Sequence, residues 1–296
     1  MLLPDFVILG AMKSGTTTLY EDLRLCPEIF LPDKETGVLS GQTEGATLPS
    51  LAEAQAGYGR LYAGCAADTL RGECATTYTM APHFAGVVDL AREVLNPATK
   101  FIYIVREPVS RVVSHHYHDY SSGRISESID RAVASDPRLL DYTRYASQVA
   151  PWIETFGRQN VLLICFEQYM ADRKAGLAAV LSFLGISGGS TPEPGTEVHN
   201  RSDGKPVAVG RWQRVVRSRL YRDHVRGLIP NSFRQKLAAS VLPKAPERPS
   251  PPSERTVEQI LREVAPEMEV LAEHVGERWW NPAEVSKHWQ DRQSTG

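Results

Sequence analysis

The sequence predicts an α/β protein: a parallel sheet, P-loop-like at its first crossover, with helices on both faces. Three observations carry that prediction. Residues 6–9 (FVIL), 101–105 (FIYIV) and 160–165 (NVLLIC) are short and nearly all apolar, without the alternation of a half-exposed strand. Each leads into a stretch of helical character. A glycine-framed loop, rather than a hairpin turn, joins the first run to its helix.

Taken in order, the run at 6–9 ends at Gly10, and the helix after Thr16 places Leu19, Leu23 and Leu25. Residues 37–70 are rich in Gly, Ala and Ser with weak periodicity, so irregular structure or short helices are expected there. After the second strand, Pro108 stands where a helix places its first residue. The third strand precedes a helix over 171–184, which Gly185 ends at its C′ position. Residues 187–196 (SGGSTPEPGT) form a loop, and 242–253 (LPKAPERPSPPS) are too rich in proline for regular structure. Val257, Ile260, Leu261 and Val264 repeat at helical spacing up to Pro266, which is expected to break or restart the helix before Met268 and Leu271. With no internal repeat, residues 1–296 read as one domain, with a loop-rich, basic segment at 187–253 and a helical C-terminal extension at 254–296.

Composition narrows the function. A chain of 296 residues that is 42% hydrophobic and 23% charged is neither disordered, collagenous nor coiled coil. Its 33 basic and 35 acidic residues give a net charge of −2, which removes any general argument for a nucleic-acid partner. Cys26, Cys65, Cys74 and Cys165 form no CxxC pair and have no histidine ladder, so reduced thiols are expected rather than a disulfide framework or a zinc site. No basic region precedes the first apolar run, and no run approaches the roughly 20 residues of a spanning helix. The expectation is a cytoplasmic, untethered protein.

Gly10-Ala-Met-Lys13-Ser14-Gly15-Thr16-Thr17-Thr18 lies between a strand and a helix, where backbone N–H groups and the helix dipole favour an anion. Gly10 and Gly15 keep the glycine spacing of a nucleoside-triphosphatase P-loop, but Thr16 stands at the lysine position and the lysine has moved to Lys13. There it would reach a bridging oxygen of a bound diester or anhydride, where leaving-group charge accumulates. Arg106 follows directly on the second strand and should lie at the same carboxyl edge of the sheet. On a helix from Pro108, Val109, Val113, His116 and Tyr120 share the core face, while Arg111, Ser114 and His118 form a polar stripe opposite. That stripe is either solvated surface or, with Arg106, a second phosphate site. Two anion sites on one sheet edge imply a nucleotide with phosphates at both ends of its ribose.

KSGTTTL (13–19) and IVREPVSRVVSHHYH (104–118) resemble the two signature segments of sulfotransferases that use 3′-phosphoadenosine 5′-phosphosulfate (PAPS). The resemblance covers most of residues 5–185, including the FLG that ends at Gly185, and is nearest to the heparan-sulfate-type carbohydrate branch, as a soluble bacterial-like member. It implies the sulfotransferase fold, with Lys13, Ser14, Gly15, Thr16, Thr17 and Thr18 on the 5′-phosphosulfate and Arg106 and Ser114 on the 3′-phosphate. Lys34-Glu35 is similar to the pair that opens the acceptor cleft in that branch, which makes Glu35 the general base. Here the aromatic residues of the family pattern are replaced by Thr36-Gly37-Val38-Leu39. His118 aligns with a histidine beside the transferred group. Its two protonation states, both near at hand at neutral pH, suit it to donate to a sulfuryl oxygen or assist the base. The stretch 72–78 (GECATTY) is similar to the family's substrate-side segment, with Cys74 where heparan-type members carry a lysine, which weakens the inference to a polyanionic sugar. Residues 200–205 (NRSDGK) resemble the late basic loop over the nucleotide, with Lys205 as a further phosphate contact.

Residues 201–236 hold the one strong basic excess: a solvated helix face, or a surface for an anionic acceptor or an acidic membrane met peripherally. The expected activity is transfer of a sulfuryl group from PAPS, releasing 3′,5′-adenosine bisphosphate (PAP), to a hydroxyl, or less readily an amine, of a glycan, glycolipid or small molecule. No metal and no nucleic acid is expected. The alternatives are a P-loop kinase or nucleotide hydrolase, which needs a lysine after Gly15 and a magnesium carboxylate, and a non-catalytic binder of anionic ligands acting through 201–236.

Overall fold

The computed structural model describes residues 2–41, 43–45, 47–186, 192–195 and 249–294. The first apolar run is strand β1 (Phe6–Gly10). Two strands that the sequence pattern did not predict come next, β2 (Ile29–Phe30) and β3 (Leu70–Cys74), and the other two runs are β4 (Lys100–Val105) and β5 (Val161–Cys165). They form one sheet in the order β2-β3-β1-β4-β5, every neighbouring pair parallel. β3 escaped notice because LRGEC carries Arg71 and Glu73 among its apolar residues. Even so, Glu73 is fully buried.

Successive side chains of β1 and β4 supply two cores. Val7, Leu9, Phe101, Tyr103 and Val105 belong to one, and Phe6, Ile8, Ile102 and Ile104 to the other, which is why the runs are apolar throughout. The second core is covered by α1 (Thr16–Leu23), α8 (Phe166–Ala171) and α9 (Arg173–Phe183), through Leu19, Leu23, Tyr169, Leu177 and Val180. The first is covered by α2 (Leu51–Leu61), α3 (Val87–Val94), α4 (Pro108–Ser121), α5 (Ile129–Ser135), α6 (Arg138–Asp141), α7 (Tyr145–Phe156), α10 (Glu254–Val275) and α11 (Pro282–Ser294). α2, inside the weakly periodic region, begins with a capping box in which Ser50 Oγ accepts from Glu53 N and Ser50 N donates to the Glu53 carboxylate.

Two expectations about helices need correction. The helix expected over 171–184 is interrupted, because Asp172 leaves helical geometry and its carboxylate caps α9 by accepting from Ala175 N at 2.9 Å. Gly185 does end it in the left-handed region, and Ile186 N returns to Leu181 O. Pro266 does not break its helix. α10 runs unbroken through it, with Pro266 exposed while Val257, Ile260, Val264, Met268 and Leu271 are buried in the core. The lost hydrogen bond faces solvent, and the apolar stripe outweighs the proline cost of about 3 kcal/mol.

The strand order positions the site. The chain leaves β1 toward β2 and β3 on one side, and leaves β4 toward β5 on the other, so the loops after these adjacent strands diverge at their carboxyl ends. Such a divergence opens a crevice.

Candidate functional site

The loop from β1 to α1 forms one wall of that crevice. Gly15 occupies the N-cap position of α1 with φ 95°, and no side chain caps the helix there. Any Cβ at Gly15 would overlap the Phe166 ring. Lys13 and Glu35 are the non-glycine residues that take positive φ among the described residues, at 67° and 58°. Both line the same cleft, and strained backbone gathers where function over-determines it. Ser14 is fully buried; its Oγ lies beside the Tyr145 hydroxyl, which donates to Arg106 O at 2.8 Å, and makes no well-formed hydrogen bond itself.

Arg106, one residue past β4, meets this loop from the other strand. Its Nη1 donates to Lys13 O at 3.4 Å, and its guanidinium lies 5.0 Å over the Phe166 ring. α4 starts with Pro108 at its first position, as the sequence predicts, and the Glu107 carboxylate caps it by accepting from Val109 N at 2.6 Å and Ser110 N at 2.8 Å. The N-terminus of α4 thus already holds a carboxylate. On this side the donors offered to the cleft are side chains: Arg106, Ser110 and Ser114 all face it.

The polar stripe expected on α4 divides. Ser114 and His118 line the cleft, but Arg111 is wholly buried, and its Nη2 donates to Leu139 O at 2.7 Å beneath α6. Periodicity cannot reveal that a second helix covers the polar side. His116 is buried as expected, its Nε2 2.9 Å from Glu127 O, while Val113 turns toward the cleft.

The cleft has a volume of about 1580 Å³, more than one small ligand of the usual 300–1,000 Å³ range requires. Lys13, Thr16, Glu35, Arg106, Ser114 and His118 share it. Glu35 is held at both ends: its N–H donates to Cys74 O at 2.8 Å, and its carboxylate accepts from Thr76 N at 3.0 Å and Thr76 Oγ1 at 3.1 Å. Protein surrounds the carboxylate within the cleft and so removes it from much of its water. This raises its pKa, against the opposing pull of Lys34 and the Thr76 bonds. His118 is half-buried. Burial, then the charges of Lys13 and Arg124, push its pKa down to about 4, so the ring is neutral at pH 7 and not balanced between two states as its sequence context suggests. The next residue, Asp119, is buried. Although burial opposes ionisation, contact with His115 and the nearby Arg124 hold its carboxyl well below the usual range, with Arg124 Nη1 donating at 2.8 Å.

Several cleft residues escaped the sequence reading. Lys34 has no signal in the sequence beyond its place beside Glu35, yet its Nζ donates to Thr17 Oγ1 at 2.6 Å and Thr16 Oγ1 at 3.3 Å. Thr76 lies within the substrate-side stretch 72–78. Phe166 is the first residue after β5, a position that itself marks the ligand edge of a parallel sheet. Trp289 had no local signal: it reaches the cleft from α11, and its Nε1 donates to Glu107 Oε2 at 3.4 Å. Lys205 and the basic stretch 201–236 lie outside the described residues. Among the described residues no group of three or more His, Cys, Asp and Glu side chains is placed to hold a metal ion, and no helix is long and apolar enough to cross a membrane. All four cysteines are free thiols.

A glycine-framed loop between a strand and a helix, met by an arginine from the adjacent strand, opens on one large cleft at the carboxyl edge of a parallel sheet and defines an α/β protein of the P-loop-like kind. The chain belongs to the sulfotransferase family, whose domain model matches residues 3–200. Among curated proteins it is similar to the mouse (Mus musculus) heparan sulfate glucosamine 3-O-sulfotransferase 3B1, 24% identical over an alignment of 193 positions that covers 62% of this chain and 46% of that protein. It is also similar to the mouse heparan sulfate glucosamine 3-O-sulfotransferase 6, 25% identical over 62% of this chain and 52% of that protein. The chain thus spans about half the length of these relatives. Among solved structures, a sulfotransferase from Alicyclobacillus acidocaldarius superposes with a TM-score of 0.65 at 19% identity, covering 98% of this chain and 100% of that one, a likeness of fold. Family membership removes the kinase and nucleotide-hydrolase alternative.

Proposed function

We propose that this protein transfers the sulfuryl group of PAPS to a hydroxyl, or less readily an amine, of a glycan, glycolipid or small-molecule acceptor. The observation that carries the reading is convergence: Lys13, Glu35, His118, Arg106 and Ser114, drawn from three separate segments, line one cleft. The 5′-phosphosulfate sits on residues 13–18 and the 3′-phosphate on Arg106 and Ser114. The acceptor oxygen attacks sulfur in line, the bond from sulfur to the 5′-phosphate oxygen breaks, and Glu35 takes the acceptor proton. Its raised pKa makes Glu35 a stronger base than an ordinary carboxylate. Lys13 meets charge developing on the departing oxygen, and neutral His118 donates one N–H to a sulfuryl oxygen. The transferred group carries little negative charge, so lysine and backbone donors suffice where phosphoryl transfer calls on magnesium.

Calorimetry with PAP tests the donor assignment. Wild type is expected to bind and Lys13→Ala to bind at least about tenfold more weakly, the scale of one charge-assisted hydrogen bond. Absence of binding by wild type at millimolar PAP overturns the assignment. A screen with sulfur-labelled PAPS over sugars, glycolipids, phenols and small alcohols then identifies the acceptor.

A further inference from the structure

We infer that the acceptor is an uncharged alcohol or phenol with an apolar body, carried on Met80, Phe84 and Tyr142, and that the charged wall beside them excludes polyanionic sugars. This names the acceptor within the sulfuryl-transfer reading above and rests on it.

Five basic side chains line the cleft among the described residues. Lys13 and Arg106 belong to the donor end. The other three each face carboxylates. The charge of Lys34 acts on Glu35, its neighbour in the chain. Arg124 Nη1 donates to Asp119 Oδ1 at 2.8 Å. Arg138 is shared: its Nη2 lies 2.6 Å from Asp136 Oδ2 and 3.5 Å from Asp119 Oδ2, and its Nη1 lies 3.8 Å from Glu44 Oε2. Glu44 is tied to this wall by His83, whose ring nitrogens lie 2.7 Å from Glu44 Oε1 and 2.9 Å from Asp141 Oδ2. His115 and His118 add no charge at pH 7, because burial pushes both down to about 4. A sulfate or carboxylate on the acceptor would thus leave water for a wall whose cations are already taken. Each cation it recruited would strand a carboxylate, and Asp119 is a buried one.

The same region offers carbon instead. Thr76, which holds the Glu35 carboxylate, opens a stretch whose later residues Met80 and Phe84 face the cleft. Phe84 N donates to Met80 O at 3.0 Å, which closes that stretch into a turn. Tyr142 also faces the cleft, and its ring lies 5.3 Å from that of His83, the residue before Phe84. An apolar lining that begins at the base and is crossed by few unmatched polar groups holds a ligand by burying its carbon surface.

The test uses sulfur-labelled PAPS with acceptors that differ in one charged group: propylphenol against hydroxyphenylpropionate, and octyl glucoside against octyl glucuronide. A heparan sulfate oligosaccharide is the polyanionic extreme. Wild type should favour the uncharged member of a pair by at least about tenfold in kcat/KM and should leave the oligosaccharide unsulfated. Phe84→Ala should raise KM for that acceptor about tenfold with PAP affinity within about twofold of wild type, and Glu44→Gln should narrow the preference within the pair. Equal or better use of the charged members, transfer to the oligosaccharide, or an unchanged KM in Phe84→Ala overturns the inference. So does the lack of transfer to either uncharged compound by a wild type that binds PAP, and in each of these cases the donor reading stands. Absence of PAP binding by wild type overturns the donor reading and this inference with it. Should Phe84→Ala fail to fold, Phe84→Leu is read by the same criteria with a smaller rise in KM.

Discussion

The anion loop and the loop that carries Glu35 serve one cleft but are built by different means. Residues 10–18 are continuous in sequence, and their shape comes from backbone: a buried strand, two positive-φ glycines and a helix start. The Glu35 loop is held by side chains from elsewhere. At its centre is Glu73, a fully buried carboxylate with no ion-pair partner among the described residues, which accepts from Thr36 Oγ1, from Tyr78 OH at 2.7 Å and from Tyr58 OH at 2.8 Å. Tyr78 OH in turn accepts from Leu39 N at 3.0 Å, and Ser40 Oγ lies 2.7 Å from Thr77 Oγ1. A loop shaped by backbone tolerates change at a distance, whereas one shaped by a side-chain network is exposed to substitutions in residues that never meet the ligand.

This contrast can be broken or sharpened at graded points. The largest effect is expected at Glu35→Gln, with turnover about 10² to 10⁴ lower and PAP affinity within about twofold of wild type. Unchanged turnover would assign proton removal to another group. Glu73→Gln keeps the shape but replaces one acceptor oxygen with a donor, so at least one buried hydroxyl loses its partner at a cost of about 1–3 kcal/mol. Urea unfolding should show that loss and turnover should fall, while PAP titration stays unchanged. A parallel loss of PAP affinity would mean that the two loops are not separable. A smaller step, Thr36→Val, should cost about 0.5–1.5 kcal/mol and lower turnover by a smaller factor, with Thr36→Ser restoring both.

The mildest test is pH. Burial pushes His115 and His118 down to about 4 from an ordinary 6.5, so between those values the unfolded chain binds protons that the folded one refuses. Their contribution to stability is therefore full above about 6.5, falls as the pH drops toward 4, and is level below. The raised carboxyls of Glu35 and Glu73 act in the opposite sense, because protonation favours the folded state. Melting temperatures of wild type and of a His115→Gln, His118→Gln double variant over pH 8 to 4 isolate the histidine part. The variant curve should be flatter, and parallel curves would contradict the assigned burial.

Elsewhere the molecule shows how side chains from distant segments settle matters that local pattern leaves open. Asp22 on α1 is buried and ion-paired to Arg173, with Tyr169 OH donating at 2.7 Å, so α1, the helix that begins at the anion loop, is braced against α8 and α9. No spacing in the sequence links residue 22 to residue 173.

The legible parts of this protein were local ones. Strands β1, β4 and β5 announced themselves because a strand buried on both faces must be apolar throughout. The anion loop was visible because glycine spacing, lysine and threonines lie within nine residues, and Pro108 marked the start of α4 because a fixed φ and a missing N–H suit that position. Tertiary packing decided the rest. It brought Lys34 onto α1 and Thr76 onto Glu35, buried Arg111 beneath α6, carried Trp289 to the cleft and let α10 run through Pro266. The reason is physical: backbone preference and hydrophobic period act between residues close in the chain, whereas a polar side chain's partner depends on which distant segment packs against it.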